Sequence, residues 1–245
     1  IIMRAPQFSH ITAQAIVPEQ IVSYVTAVGE SRPVLYGTCV AYDFEGSTTL
    51  IAYSPEMLPG EDTGEAEAIM EKALAGVLEN EAVRKRTVLG PCRPESAPET
   101  AASRQDAYAF LALPATPGQN LRNMLRRGER ECTIRDEPWD QEHAELVKTY
   151  IDSRPLEAGT RHIYTRIPHY LAATPYAVLF AARDTESRLL GLAIGDFSSL
   201  TTAFYRFAFR SKTCPPGVAD VLLHTNVKAA EGKGHQFINL GHGIN

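Results

Sequence analysis

The stretch that most constrains this chain is its last forty-odd residues. Thr201–Arg210 (TTAFYRFAFR) reads as a strand, and Cys214–Ala219 (CPPGVA) imposes a sharp turn. Asp220–Glu231 then has the periodicity of an amphipathic helix closed by Gly232, and His235–Leu240 (HQFINL) returns as a second strand. Such a crossover predicts that the two strands are parallel neighbours in one sheet. A helix that starts at a glycine turn directs its unpaired N–H groups and positive dipole end outward. Gly217, Val218, Ala219 and Asp220 are therefore a candidate cofactor-binding turn for an anionic group. Pro215 and Pro216 remove two donors from it. The plainer reading is a strand-to-helix connection in which Pro-Gly is punctuation and Asp220 is a capping carboxylate.

Upstream, the pattern alternates between strands and helices. A helix is expected from about Pro18, and Val34–Phe44 and Ser47–Tyr53 read as two strands around a Glu45-Gly46 turn. Asp62 to Asn80 carries an apolar stripe (Ala66, Ile69, Met70, Ala73, Leu74, Val77, Leu78), with capping-box spacing at Asp62 and Glu65. Thr87–Gly90 and Tyr108–Leu113 read as strands, with Pro91–Ser103 a loop or linker between them. A helix follows Pro117-Gly118, then a strand at Cys132–Asp136 and a helix capped by Asp140. Arg154–Tyr164 is irregular, Ile167–Ala173 a short helix, and Ala177–Ala182 and Leu189–Asp196 a strand pair.

Arg122, Arg126 and Arg130 recur at one-turn intervals, with Arg127 beside them, so a helix here gathers guanidinium groups on one face. Arginine suits bidentate phosphate recognition, which makes this face a candidate anion-binding surface. A solvated face neutralised by Glu129 and Glu131 is the plainer alternative. The chain is otherwise acidic, with a net charge of −5, which argues against broad nucleic-acid binding but not against a local basic patch.

No apolar run reaches the length of about 18 residues that a membrane helix needs. Ile1-Ile2-Met3-Arg4 lacks signal-peptide organisation, and a chain that starts there is expected to have lost an initial segment. The dispersed cysteines (Cys39, Cys92, Cys132, Cys214) fit a cytoplasmic protein with free thiols, although an even number also permits two disulfides. Metal-binding patterns such as HExxH or a Cys/His cluster are absent from the sequence, and no tightly bound cofactor is expected.

The turn Cys214-x-x-Gly217-x-Ala219 resembles the pyrophosphate-binding motif of the GCN5-related N-acetyltransferase superfamily, with cysteine in place of the usual arginine or glutamine. Pro216–Asp220, Asn239–Gly241 and the Leu-Arg-Asn-x-x-Arg-Arg helix further resemble the divergent branch of FemAB-type aminoacyl transferases and lysyl-phosphatidylglycerol-synthase-like domains. The resemblance covers roughly the carboxy-terminal half. It implies an α/β (α+β) fold, an acetyltransferase-like mixed sheet flanked by helices. The expected division is an N-terminal α/β domain at 1–113 and an acetyltransferase-like domain at 114–245, with the first a degenerate copy in a tandem pair.

The resemblance also implies transfer of an acyl or aminoacyl group from a thioester or charged carrier, coenzyme A or aminoacyl-tRNA, to an amine or hydroxyl. An acyl-CoA co-substrate or an aminoacyl-tRNA partner follows from the same likeness. The acyl chain is then expected where two parallel strands splay, near Asn239, His242 and Asn245. Tyr205 and Arg206 point to opposite faces of their strand, so one of them faces that cleft. Catalytic candidates are His224, as an acceptor of an amine proton, together with Asn239 and Tyr205. Cys214 beside a helix start is a candidate thiolate. The competing readings are a non-catalytic scaffold that binds an anionic ligand, favoured by the cysteine and the two prolines in the turn, and a module for RNA or acidic lipid.

Overall fold

A computed structural model describes residues 6–54 and 64–242. The first part contains α1 (Pro6–Ala13), a 3-10 turn (Pro18–Gln20), α2 (Val22–Gly29), β1 (Arg32–Tyr36), β2 (Cys39–Phe44), β3 (Ser47–Ile51), α3 (Gly64–Leu78) and β4 (Lys85–Leu89). The second contains β5 (Tyr108–Ala112), α4 (Gln119–Glu131), β6 (Thr133–Asp136), α5 (Gln141–Asp152), α6 (Ala158–Thr165), α7 (Ile167–Ala173), β7 (Ala177–Arg183), β8 (Leu189–Asp196), β9 (Thr202–Arg210), α8 (Val218–Gly232) and β10 (Phe237–His242).

The strands form a 4-stranded sheet in the order β1-β2-β3-β4 and a 6-stranded sheet in the order β5-β10-β9-β8-β7-β6. Both sheets are mixed. In the first, β2 and β3 are antiparallel and α3 crosses over to β4, which runs parallel to β3. The second repeats that path, with β8 and β9 antiparallel and α8 crossing over to β10, parallel to β9. The expected parallel neighbours are thus present, and the shared path is the tandem arrangement.

Several local expectations change. The helix expected from Pro18 is a 3-10 turn followed by α2, and α1 precedes it. Val34–Phe44 is divided into β1 and β2, because Gly37 adopts positive φ and reverses the chain. Arg154–Tyr164 is not wholly irregular, since α6 begins at Ala158. The capping residue Asp62, the Ile1–Arg4 terminus and Asn245 lie outside the described residues. The division drawn at 113 and 114 leaves β5 on the far side of the line from its partner, because β5 pairs antiparallel with β10.

The two parts also share a core. Ala15, Ile21, Tyr24 and Val28 join Val147, Ile167, Tyr170, Leu192, Phe204, Phe207 and Phe209 in one buried cluster on one face of the larger sheet. On its other face Val218, Leu222, Val227 and Ala230 of α8 cover Ala193, Ala203 and Ile238. Val218, Val221 and Leu222 are buried as the periodicity predicts. Phe237 is only half-buried, because alternation in β10 turns Ile238 toward α8 instead.

Helix α4 lies against α8 through two glycines. A Cβ on Gly217 would lie 2.5 Å from the Met124 carbonyl oxygen and 2.7 Å from the Gly128 nitrogen, and Gly217 itself has φ of +94°. A methyl group on Gly128 would in turn overlap the Gly217 carbonyl. Neither obstruction is a flexible side chain, so the backbone must move to accept a substituent. Gly128→Ala is expected to destabilise the protein by about 1–3 kcal/mol, read as a lower urea midpoint at unchanged m-value. An unchanged midpoint would show that the two backbones do not meet.

A second expectation concerns pH. His235 is buried against Phe197, and burial, then Lys233, hold its pKa below the ordinary value. The unfolded chain therefore binds the proton first, and stability is lost as pH falls through the unfolded value of about 6.5. Replacing His235 with Phe should flatten the stability profile between pH 7 and 5, and an unaltered slope would assign the loss to other groups.

Candidate functional site

Strands β9 and β10 pair only over Thr202–Phe204 and Phe237–Asn239. Beyond Asn239 the register of β10 shifts, and its next pairing is His242 with Tyr108 of β5. Tyr205–Arg210 of β9 thus has no strand partner on that edge among the described residues. This is the splay at which an acyl chain was expected.

At the same level β9 slips against β8. Ile194 pairs with Phe207 and Gly195 with Tyr205, which leaves Arg206 as the extra residue of a bulge. Strict alternation from Phe204 would bring Arg206, but not Phe207, to the face that carries α2. The bulge brings both. Arg206 places its guanidinium carbon 3.9 Å from the centroid of the Tyr24 ring, and Phe207 packs among Tyr24, Tyr164 and Tyr170. Tyr205 turns the other way, toward α8. Burial and then the Asp220 carboxylate push its phenol up to about 12.

The buried Nε of Arg206 has no hydrogen-bond partner, and Arg206 forms no ion pair among the described residues. Burial alone would lower its pKa, but Tyr24, Tyr170, Glu19 and Asp196 around it more than reverse that effect, so the group stays cationic. Of the two carboxylates, Asp196 is fully buried and accepts from Tyr170 Oη at 2.5 Å. Glu19 is half-buried on the 3-10 turn, and its Oε2 accepts from Tyr108 Oη at 2.7 Å. Its main-chain oxygen accepts from Tyr42 Oη at 2.8 Å, which fixes the turn. Burial and the Glu19 charge raise the Tyr108 phenol, so it stays protonated and donates. Tyr53 packs edge-on against Tyr108, and burial followed by Glu19 pushes it up to about 12. His242 is exposed, with its ring centroid 4.2 Å from that of Tyr108.

One seam between the two sheets therefore holds a cation with spare donor capacity and a half-buried carboxylate. Of the two side chains set on opposite faces of β9, Arg206 is the one in the seam. Glu19 and Tyr108 were missed in the sequence, where nothing connects them to β9. Their one signal is that a polar residue and a tyrosine flank otherwise apolar or turn-forming stretches.

The other sequence candidates fall elsewhere. Asn239 is buried and its amide is spent: Nδ2 donates to the Ile16 carbonyl at 2.9 Å, and Oδ1 accepts from Gly241 N at 2.8 Å. It ties the amino-terminal segment to the strand end. His224 is half-buried on α8 near Glu231, away from the seam. In the turn, Gly217 and Val218 are buried, Ala219 is exposed and Asp220 half-buried. The close approach that requires Gly217 is made by α4, not left open for a ligand. Burial raises the pKa of Cys214 despite the opposing charge of Arg210, so the helix start does not yield a thiolate. None of the four cysteines forms a disulfide among the described residues.

Arg122, Arg126, Arg127 and Arg130 are all exposed on α4, while Leu125 and Gly128 face inward. Arg122 donates to the Pro117 carbonyl and to Gln119 Oε1, and Arg130 to the Arg126 carbonyl. None of the four is ion-paired with Glu129, Glu131 or any other carboxylate among the described residues. No group of three or more potential metal ligands is found among those residues, and no helix is long and apolar enough to cross a membrane.

A residue retained for chemistry and one retained for stability respond oppositely to truncation. Arg206→Met is expected to leave stability unchanged within about 1 kcal/mol or to raise it, because it removes a desolvated cation. Asn239→Ala strands a carbonyl and an N–H and should cost about 2 kcal/mol or more. Urea denaturation of both variants decides, and a large loss in Arg206→Met would make the arginine structural.

No family model and no curated protein matches the sequence. Solved structures do. FemX aligns over 100% of this chain and 89% of its own, with TM-score 0.65 and 10% identity. The DUF2156 C-terminal domain of a putative lysylphosphatidylglycerol synthetase from Agrobacterium fabrum aligns over 97% of this chain and 78% of its own, with TM-score 0.63 and 14% identity. L-PGS from Bacillus licheniformis aligns over 92% and 76%, with TM-score 0.51 and 12% identity. The alignments extend over both sheets rather than the carboxy-terminal half alone, and at these identities what is shared is the fold. The chain thus has the two-part acetyltransferase-like fold found in FemX and in lysylphosphatidylglycerol synthetase domains.

Proposed function

We propose that this protein is an acyl- or aminoacyl-transferase whose chemistry takes place in the seam beside Arg206. The observation that carries the reading is a cationic, half-buried guanidinium with an unpartnered Nε, set by a bulge where β9 and β10 part. The fold shared with FemX and the lysylphosphatidylglycerol synthetase domain supports it.

In this reading an ester or thioester carbonyl enters the splay with its oxygen toward Arg206. An amine attacks the carbonyl carbon, and negative charge gathers on that oxygen. Arg206 stabilises the charge where water is largely excluded, and stacking on Tyr24 holds it in place beforehand. Glu19 accepts the amine proton as the C–N bond forms, and Tyr108 orients that carboxylate. When the C–O or C–S bond to the carrier breaks, the proton passes from Glu19 to the leaving oxygen or sulfur. No covalent enzyme intermediate is required, and proximity supplies much of the acceleration. The unpaired arginines of α4 supply a surface for a phosphate-rich carrier, for which aminoacyl-tRNA is the proposed donor.

The second reading, a non-catalytic scaffold, draws on the turn. α4 covers Gly217, and Pro215 and Pro216 offer no N–H, so the turn suits a pyrophosphate poorly. That leaves the α4 surface as a binding face without turnover.

Bulk aminoacyl-tRNA and acetyl-coenzyme A, each offered with a mixture of amine and hydroxyl acceptors, separate the two. Turnover that falls by about 10²–10³ in Arg206→Gln supports the transferase. Full activity in that variant would remove Arg206 from the chemistry, and absence of turnover with either donor would favour the scaffold. The Arg122→Ala, Arg126→Ala pair should leave stability within about 0.5 kcal/mol per site. It should also reduce the salt slope of tRNA binding by about 1–2. An unchanged slope returns α4 to a solvated face.

A further inference from the structure

On the other side of the β9 strand end, a groove of about 690 Å³ runs along α5. That volume lies within the range of roughly 300–1,000 Å³ typical of small-molecule sites. Its apolar lining comes from Leu146, Tyr150 and Leu189, and three cations, Arg154, Arg210 and Lys212, also line it. None of the three is ion-paired among the described residues. Two acids also line the groove, and both have other partners: Glu142 Oε2 accepts from Arg183 at 2.8 Å, and Glu145 accepts from Gln141 at 3.1 Å. The three cations thus stand without ion pairs among the described residues, whereas Lys148, Arg183 and Arg188 nearby are each paired with a carboxylate.

The groove also has an aromatic platform. The Arg154 guanidinium carbon lies 4.2 Å from the centroid of the Tyr150 ring, and Tyr150 is braced edge-on by Tyr164 and Phe209. Stacked arginine and tyrosine planes suit a nucleobase, and arginine and lysine at a strand end suit a phosphate. The helix that carries the platform is anchored at its start. Asp140 accepts from the N–H groups of Glu142 and His143 to start α5, and Arg183 clamps Glu137 and Glu142 to the neighbouring strand.

We infer that this groove binds a nucleoside phosphate, with the phosphates on Arg210 and Lys212 and the base against Arg154 and Tyr150. The site is separate from the seam and needs no turnover to be detected, so its failure and the failure of the transferase reading are distinguishable. Arg210 lies four residues beyond Arg206 along β9, about 13 Å at the usual rise of roughly 3.3 Å per residue. A ligand confined to the groove therefore does not reach the seam guanidinium.

Isothermal titration of the full chain with ADP, pyrophosphate and adenosine tests the inference. ADP should bind saturably, more tightly than pyrophosphate, and adenosine only weakly. Arg210→Ala with Lys212→Ala should weaken ADP at least tenfold, and Arg154→Ala should weaken ADP more than pyrophosphate. Arg206→Gln should leave ADP affinity unchanged. The inference is overturned if ADP does not saturate, or if the groove variants bind it as the parent does. Equal affinity for pyrophosphate and ADP would reduce the groove to an anion patch, and loss of ADP binding in Arg206→Gln would move the ligand to the seam. The groove substitutions are at exposed positions, and circular dichroism of each variant, Arg206→Gln included, excludes misfolding as the cause of a loss.

Discussion

The extra residue in β9 decides which side chains meet between the two sheets. Because the side-chain period of a strand is two, a single inserted residue changes the facing of everything after it. Here it lets Phe207 and Phe209 stay in the aromatic core while Arg206 also turns toward α2. Core packing alone would place a second apolar group there. A cation in that position costs solvation that stacking on Tyr24 only partly returns. The nearby carboxylates keep it charged without saturating it, since Asp196 is taken by Tyr170 and Glu19 by Tyr108.

The seam exists only because the two parts of the chain are packed as one body. Glu19 and Tyr24 come from the amino-terminal segment, and Arg206 from β9. Tyr108 comes from β5, which joins the larger sheet although it follows the smaller one in the chain. Asn239 adds the lock, reaching from β10 to the carbonyl of Ile16. Thr174 and Arg166 add further ties, to Ser23 Oγ and the Ala27 carbonyl of α2. A half-domain in isolation would expose Tyr24, Phe207 and Tyr170 and would separate the cation from the carboxylate.

Much of the carboxy-terminal fold was legible because it is local. The parallel pair β9 and β10, the crossover helix α8 and the Asp140 cap each follow from residues within one supersecondary unit. The site was legible only in part, because it is assembled from distant segments. That one of Tyr205 and Arg206 faces the cleft follows from alternation, but the bulge that keeps Phe207 beside Arg206 leaves no mark in composition. Gly217 shows the opposite failure. A glycine in a strand-to-helix turn resembles a ligand-binding glycine, yet the neighbour that requires it is Gly128 of α4, 89 residues earlier in the numbering. Sequence spacing cannot distinguish a ligand from another backbone as the object of a close approach.

The contact between α4 and α8 explains how the basic face is presented. Two backbones can approach this closely only without side chains between them, so Gly128 and Gly217 draw α4 down onto the start of α8. That seats Leu125 inward and fixes the helix about its own axis, which turns Arg122, Arg126, Arg127 and Arg130 outward. A free helix could rotate its charges toward Glu129 and Glu131 or toward neighbouring acids. A helix held by a glycine contact cannot, and its guanidinium groups remain unpaired among the described residues. The same packing that brings α4 onto Gly217 thus fixes the orientation of the arginine surface.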